Sequence, residues 1–231
     1  MDFDFHYAFS DGSPQTNTAL VIAGGMGTLT RQVAGGAGRA IGLWRGTVRA
    51  EAVEALWREL PGAAPPGYPL APGMPNHFFR AKRAGVEKTV RFANEPELLD
   101  KVRPFIQALE KAMKQAEASP LRTVAVTIGK WTTAGLEVEL TAAGIEDVTI
   151  PDGAEAIRLM SAPAENRNDL RVAGTAPAGA VRIPAGQTRT LLIAVERQAG
   201  MVYQAMYRRY GNTAIAGGEI FGEAGSGMVP R

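Results

Sequence analysis

The chain has no cysteine among its 231 residues. This excludes disulfides, thiolate nucleophiles and zinc sites built on sulfur. Histidine is almost as scarce, with only His6 and His77 present. A serine–histidine–acid arrangement therefore has two possible bases at most. There is no Gly-x-Ser-x-Gly elbow and no His-Glu-x-x-His helix signature. Charge of one sign is missing too: the net charge is +2 and is spread over both halves, which gives no electrostatic argument for nucleic acid. No apolar run approaches the roughly 18 residues of a membrane helix. The opening MDFDFHYAF lacks the basic and apolar regions of a signal peptide. The chain reads as cytoplasmic, with a mature exported protein as the alternative.

What is present is a hydrophobic content of 45%, enough to bury a core in one large or two small domains. Near the middle, Asn94 to Ala118 reads as a long helix. Asn94 is the expected N-cap, with Glu97 completing a capping box. Leu98, Val102, Phe105, Ile106, Leu109 and Met113 fall on one face at helical spacing. Pro104 interrupts this pattern and predicts a kink or a meeting of two helices. Ser119-Pro120 ends it.

Ahead of this helix, Phe3, Phe5, Tyr7 and Phe9 alternate with Asp2, Asp4, His6 and Ala8, the period of a strand with an aromatic inner face. Strands are expected at Thr18–Ala23, Thr28–Val33 and Ile41–Val48, then a short helix over Ala50–Leu60. His77–Phe92 reads as a hairpin turning at Ala84-Gly85. After Pro120 the expected elements are short strands only: 121–128, 136–142, 145–150, 156–160, 170–172, 180–183, 188–195, 201–207 and 214–221. Pro184-Ala185-Gly186 is expected to be a tight turn into a return strand. These patterns predict an α+β domain over residues 1–118, an antiparallel sheet with one short and one long helix. An all-β sandwich of immunoglobulin-like architecture is expected over residues 121–231.

The order of elements in residues 1–118 resembles small bacterial domains of the emfourin type. The similarity lies in GTVRAEAVEALWREL after a strand and in a later hairpin leading to LLDKVRPFIQALEKAM. The resemblance implies a protease-inhibitor-like domain. It says nothing of residues 121–231.

The candidate sites divide by type. The glycine-rich run from Ile22 to Gly42 has no Lys-Ser or Lys-Thr to complete a phosphate loop, and Thr30 and Ile41 stand where a dinucleotide fingerprint needs glycine. It reads as hairpin turns, and no cofactor is implied. Asp2, Asp4 and His6, with Asp11, could hold a divalent cation, but the charged face of an edge strand accounts for them as well. The hairpin carries Arg80, Lys82 and Arg83, with Lys88 and Arg91, among Phe78, Phe79 and Phe92. It suits an acidic protein partner or single-stranded nucleic acid, or is the wet face of a two-layer fold. Tyr207 and Arg208 belong to a second cluster with Tyr203, Arg209 and Tyr210, types that favour protein interfaces.

The loop from Pro61 to Pro75 holds six prolines and is stiff. It carries Tyr68, Leu70 and Met74, apolar groups that such a frame presents at little entropic cost. The expected function is therefore non-enzymatic protein binding: an inhibitor, immunity protein or accessory factor acting on a protease, toxin or other protein. The alternatives are carboxylate chemistry, which leaves no signature in sequence, and nucleic-acid binding through residues 77–92. Residues 225–231 (GSGMVPR) read as a linker-like tail without function.

Overall fold

The computed structural model describes residues 3–10, 17–34, 39–62, 73–209, 212–215 and 220–221. The described residues are mostly antiparallel strand, so the architecture follows from which sheet each strand joins. The chain divides into two compact units. One comprises Met1–Arg31 and Leu43–Leu121, the other Gln32–Gly42 and Arg122–Arg231.

The elements up to Leu121 are β1 (Phe3–Ser10), β2 (Thr18–Ala23), β3 (Met26–Arg31), β4 (Val33–Ala34), β5 (Ala40–Thr47), α1 (Ala50–Glu59), β6 (Asn76–Arg83), β7 (Val86–Ala93), α2 (Pro96–Lys101) and α3 (Arg103–Glu117). In the first unit the strand order is β5-β3-β2-β1-β6-β7. β1 is central, paired antiparallel with β2 (Tyr7 opposite Leu20) and with β6 (Tyr7 opposite Phe79). Its alternation decides the layering. Phe3, Phe5 and Tyr7 are buried while Asp4 and His6 are exposed. The same parity on neighbouring strands buries Leu20, Ile22, Leu29, Phe79, Val90 and Phe92.

The helices cover this inner face. Phe105 of α3 meets Phe79 edge-on at 4.7 Å between ring centres, and Trp57 of α1 meets Phe3 in the same way at 6.4 Å. Small residues on α3 (Ala108, Ala112 and Ala116) are all buried and permit close approach. Gly46 of β5 shows how close: a Cβ there would lie 2.9 Å from the carbonyl oxygens of Gln115 and Ala116. Arg31 pins the end of α3, with its guanidinium 2.7 Å from Glu117 and 5.2 Å above the Trp44 ring.

One expectation holds: of the two outcomes that Pro104 predicted, the meeting of two helices is found, at Val102, with Pro104 in the first turn of α3, where its missing N–H is no loss. Several others are corrected here. Asn94 is not the N-cap. Glu95 is, with no side-chain bond, and Asn94 instead accepts from His77 at 3.0 Å. β1 is no edge strand, so Asp4 and His6 do not guard an edge. The first strand of the glycine-rich run is Met26–Arg31, two residues earlier than its pattern suggested, because Gly24 and Gly25 adopt φ of 57° and 82° and close the turn early.

The remaining elements are β8 (Pro120–Thr132), β9 (Gly135–Gly144), β10 (Val148–Ile150), α4 (Gly153–Ala156), β11 (Ile157–Pro163), β12 (Arg171–Thr175), β13 (Val181–Ile183), β14 (Thr188–Ile193), β15 (Met201–Arg209), β16 (Asn212–Ile215) and β17 (Ile220–Phe221). In the second unit β14-β9-β8 run side by side, β10 pairs β13, and β12-β11-β15-β16-β4 form a further sheet with β17 also on β15. β4 joins β16 in parallel. Its core draws Val126, Leu136, Val138 and Leu140 from one sheet, Ile157, Leu159 and Tyr203 from another, and Ile183 from the third. Ile41, from the N-terminal half of the sequence, joins this core.

Two expectations differ. Ala156 ends a short helical turn capped by Asp152, whose carboxylate accepts from the Ala154 N–H at 2.9 Å, and the strand begins at Ile157. The turn at Pro184 exists, with Gln187 N–H bonded to Pro184 O at 3.1 Å. The strand after it does not return along β13: β13 pairs β10 and β14 pairs β9. No helix among the described residues is long and apolar enough to cross a membrane.

Candidate functional site

Helices cover the inner face of the first-unit sheet, and its outer face is exposed. The pairings place Val21 beside His6, His6 beside Arg80, and Arg80 beside Thr89. On one flanking row Ala8 lies beside Phe78 and Phe78 beside Arg91. On the other, Asp4 lies beside Lys82 and Lys82 beside Glu87. Val21 is 44% exposed and Met26 39%, which leaves apolar surface open beside three exposed cations, Arg80, Lys82 and Arg91. Arg80 holds Glu87 through two hydrogen bonds of 3.1 Å. Phe78 is half-buried, edge-on to His6 at 5.9 Å.

Only part of the predicted set meets here. Arg80 and Lys82 lie on this face. Arg83 does not: its odd position turns it toward α1, where it grips Glu54 through two bonds of 2.7 and 2.6 Å. That contact holds the Glu54 carboxyl below its usual range. Lys88 also points inward, donating to the carbonyls of Trp57 and Leu60 at 3.0 and 3.2 Å above the Trp57 ring. Phe79 and Phe92 are buried, so the hairpin offers Phe78 alone of its three phenylalanines to solvent.

Tyr207 is 4% exposed and part of the second-unit core, which corrects its assignment as a contact residue. Arg208, its neighbour on β15, is exposed. Tyr203 is core as well. Its hydroxyl accepts from Gln198 N–H at 3.1 Å and donates to Glu196 O at 3.3 Å. Met74 is half-buried just before β6, and its carbonyl accepts from Asn76 at 2.9 Å. Tyr68 and Leu70 lie outside the described residues, as do Asp2, Asp11, Tyr210 and the tail 225–231. Among the described residues no group of three or more histidine, cysteine or acidic side chains is placed to hold a metal.

The sequence reading missed a buried polar chain at the end of the sheet where β1 ends and β6 begins. The Tyr7 hydroxyl lies 3.2 Å from His77 Nδ1, and His77 Nε2 lies 3.0 Å from Asn94 Oδ1. The amide oxygen only accepts, so Nε2 carries the proton and Nδ1 accepts from the phenol. Burial pushes the His77 pKa below its ordinary 6.5, against the pull of the Asn94 bond, and pushes Tyr7 well above the usual phenol range. Both shifts favour neutral forms. The chain is thus a fixed strut between β1, β6 and the segment entering α2, rather than an acid–base pair poised near neutrality. The signal was available: His77 alternates in phase with Phe79, which marks it as inward-facing.

In the second unit an open cleft of about 1050 Å³ is lined by Trp131, Thr132, Thr133, Ala134, Ala194, Val195, Glu196 and Arg197. Arg197 lies 5.8 Å from the Trp131 ring centre, and Tyr203 packs edge-on to that ring at 5.1 Å. Among the described residues the buried indole N–H has no hydrogen-bond partner. Among its described lining residues the cleft holds one carboxylate, Glu196. No protein-family model, no curated protein and no solved structure matches the chain, so the geometry alone carries the functional argument.

Proposed function

We propose that this is a non-enzymatic protein-binding protein that engages an acidic surface of its partner through the outer face of β1, β2, β3, β6 and β7. We read the units as an α+β sheet-and-helix layer and a β-sandwich of immunoglobulin-like architecture. The observation that carries the reading is the exposed outer face: Val21, Met26 and part of Phe78, flanked by Arg80, Lys82 and Arg91. Apolar surface with a charged border is the composition of a protein interface, and Arg80, Lys82 and Arg91 outnumber the Asp4 and Glu87 carboxylates on this face, a net positive border that favours encounter with acidic partners. The emfourin-type resemblance of residues 1–118 supports an inhibitor role within this reading. Nucleic-acid binding by the hairpin is the weaker reading, because Phe79 and Phe92 face inward and cannot stack on bases.

The test is affinity capture from the native host with two baits, the wild-type chain and a Val21→Glu/Lys82→Glu variant. A specific protein should be retained by the wild type and bind the variant at least about tenfold more weakly, with further loss at high salt. A partner held equally by both baits, or no partner at all, would overturn the proposal. A shift of single-stranded nucleic acid at low salt would favour the other reading.

A further inference from the structure

The strand β7 (Val86–Ala93) ends its sheet, and its free edge has a pattern that the partner-binding reading does not use. The β6–β7 hairpin turns through two residues, Ala84 and Gly85, with φ of 47° and 80°, and Arg83 faces Val86 across the turn. In such hairpins the flanking pair exchanges backbone bonds and every second pair does likewise. The Asn94 N–H bonded to Pro75 O at 2.9 Å lies in the same phase at the far end. The amides of Val86, Lys88, Val90 and Phe92 are thereby directed at β6. Those of Glu87, Thr89 and Arg91 are directed away from it, and among the described residues no strand lies beyond them.

These three residues read, in order, negative, neutral, positive. All three are exposed, with side chains on the outer face. An antiparallel copy of the strand laid along this edge, with its two-fold axis at Thr89, sets Thr89 against Thr89. It also sets each Glu87 against the Arg91 of the other copy. The edge is self-complementary in both hydrogen bonding and charge. Among the described residues the other long sheet edge, β14, lacks this property. In β14 the amide of Ala142 bonds Gln187 O, so the same parity turns Thr188, Thr190 and Leu192 outward, and none of them is charged. Edges are commonly protected by a charged side chain aimed inward. On β7 that residue is Lys88, but its ammonium is engaged by the Trp57 and Leu60 carbonyls beneath the sheet.

We infer that β7 is a homodimerisation edge: two copies of this chain pair β7 to β7, antiparallel and in register about Thr89, and join their sheets into one. Isologous contact of this kind is the commonest symmetry among soluble oligomers. Glu87 then exchanges its bond with Arg80 for one with the opposing Arg91, or shares both.

The test is sedimentation equilibrium of the full chain over a wide concentration range. The wild type should fit a monomer–dimer equilibrium. Thr89→Pro removes one outward amide without touching the bonds to β6, so the circular dichroism should be kept and the dimer lost. Arg91→Glu opposes two carboxylates and should weaken the dimer at least about tenfold, whereas Glu87→Arg with Arg91→Glu should restore it. This rescue keeps the proposal falsifiable even if Thr89→Pro fails to fold. Because the chain is cysteine-free, Thr89→Cys introduces a single thiol at a pair whose Cα separation would be about 5.5 Å, within disulfide range. Oxidation should give a covalent dimer, whereas Glu110→Cys on exposed α3 should not. A wild type that stays monomeric throughout, a dimer indifferent to Arg91→Glu, or a double variant no better than the single one would overturn the inference.

Discussion

His77 shows how a single residue carries structure here. It sits among Tyr7, Phe79 and Phe92 and satisfies two side chains on separate elements. Because burial lowers its folded-state pKa, the unfolded chain takes up the proton first as pH falls. The stability it contributes is therefore complete above 6.5 and is lost as pH falls below that value toward the folded pKa. Thermal unfolding measured between pH 7.5 and 5 should show the midpoint falling with pH. His77→Phe should flatten that dependence while lowering the midpoint at pH 7.5, since it strands the Tyr7 hydroxyl at a cost of about 1–3 kcal/mol. An unchanged slope in the variant would show that another group sets it. Inward residues such as His77 were legible from period-two alternation. Its partner was not, because Asn94 reads locally as a helix cap and only the pairing of β6 with β7 brings it to the imidazole.

The β6–β7 hairpin is the element on which both the proposed face and the proposed dimer depend. Its turn contains the one strained position among the described residues: Ala84, the only non-glycine with positive φ, at 47°. A left-handed conformation costs a residue such as alanine about 1–2 kcal/mol, and asparagine tolerates it better. Ala84→Asn should raise stability by about 0.5–1 kcal/mol, read as a higher denaturant midpoint with an unchanged slope. A lower midpoint would mean that the methyl group makes contacts that outweigh the strain. The hairpin and its turn were predictable from Ala84-Gly85 between alternating segments. The split of the long helix was legible from Pro104, which sits in the first turn of α3 and so places the boundary just before it, at Val102.

At the scale of the whole molecule, position along the chain does not decide which core a residue joins. Ile41 precedes all three helices of the first unit, yet it packs with Val124, Val126 and the rest of the second-unit core at 2% exposure. Ile41→Ala should cost about 2–5 kcal/mol through the cavity it leaves. Hydrogen exchange should quicken in β8, β9 and β11 before it does in β1, β2 and β6. Loss of protection confined to the latter set would place Ile41 in the other core.

The sequence by itself determined the periodic features: the aromatic inner face of β1, the hairpin, the helical stripe and the predominance of strand in the second half, though not its short helix α4. Each depends on contacts within a few residues, so local pattern specifies it. Only the tertiary structure decided that Arg80 and Lys82 share a surface with Val21 and His6, that Arg83 and Tyr207 do not, and that β7 ends its sheet. Those facts depend on which strands become neighbours. That pairing is settled by the burial of whole faces across long sequence separations, and no short window of residues encodes it.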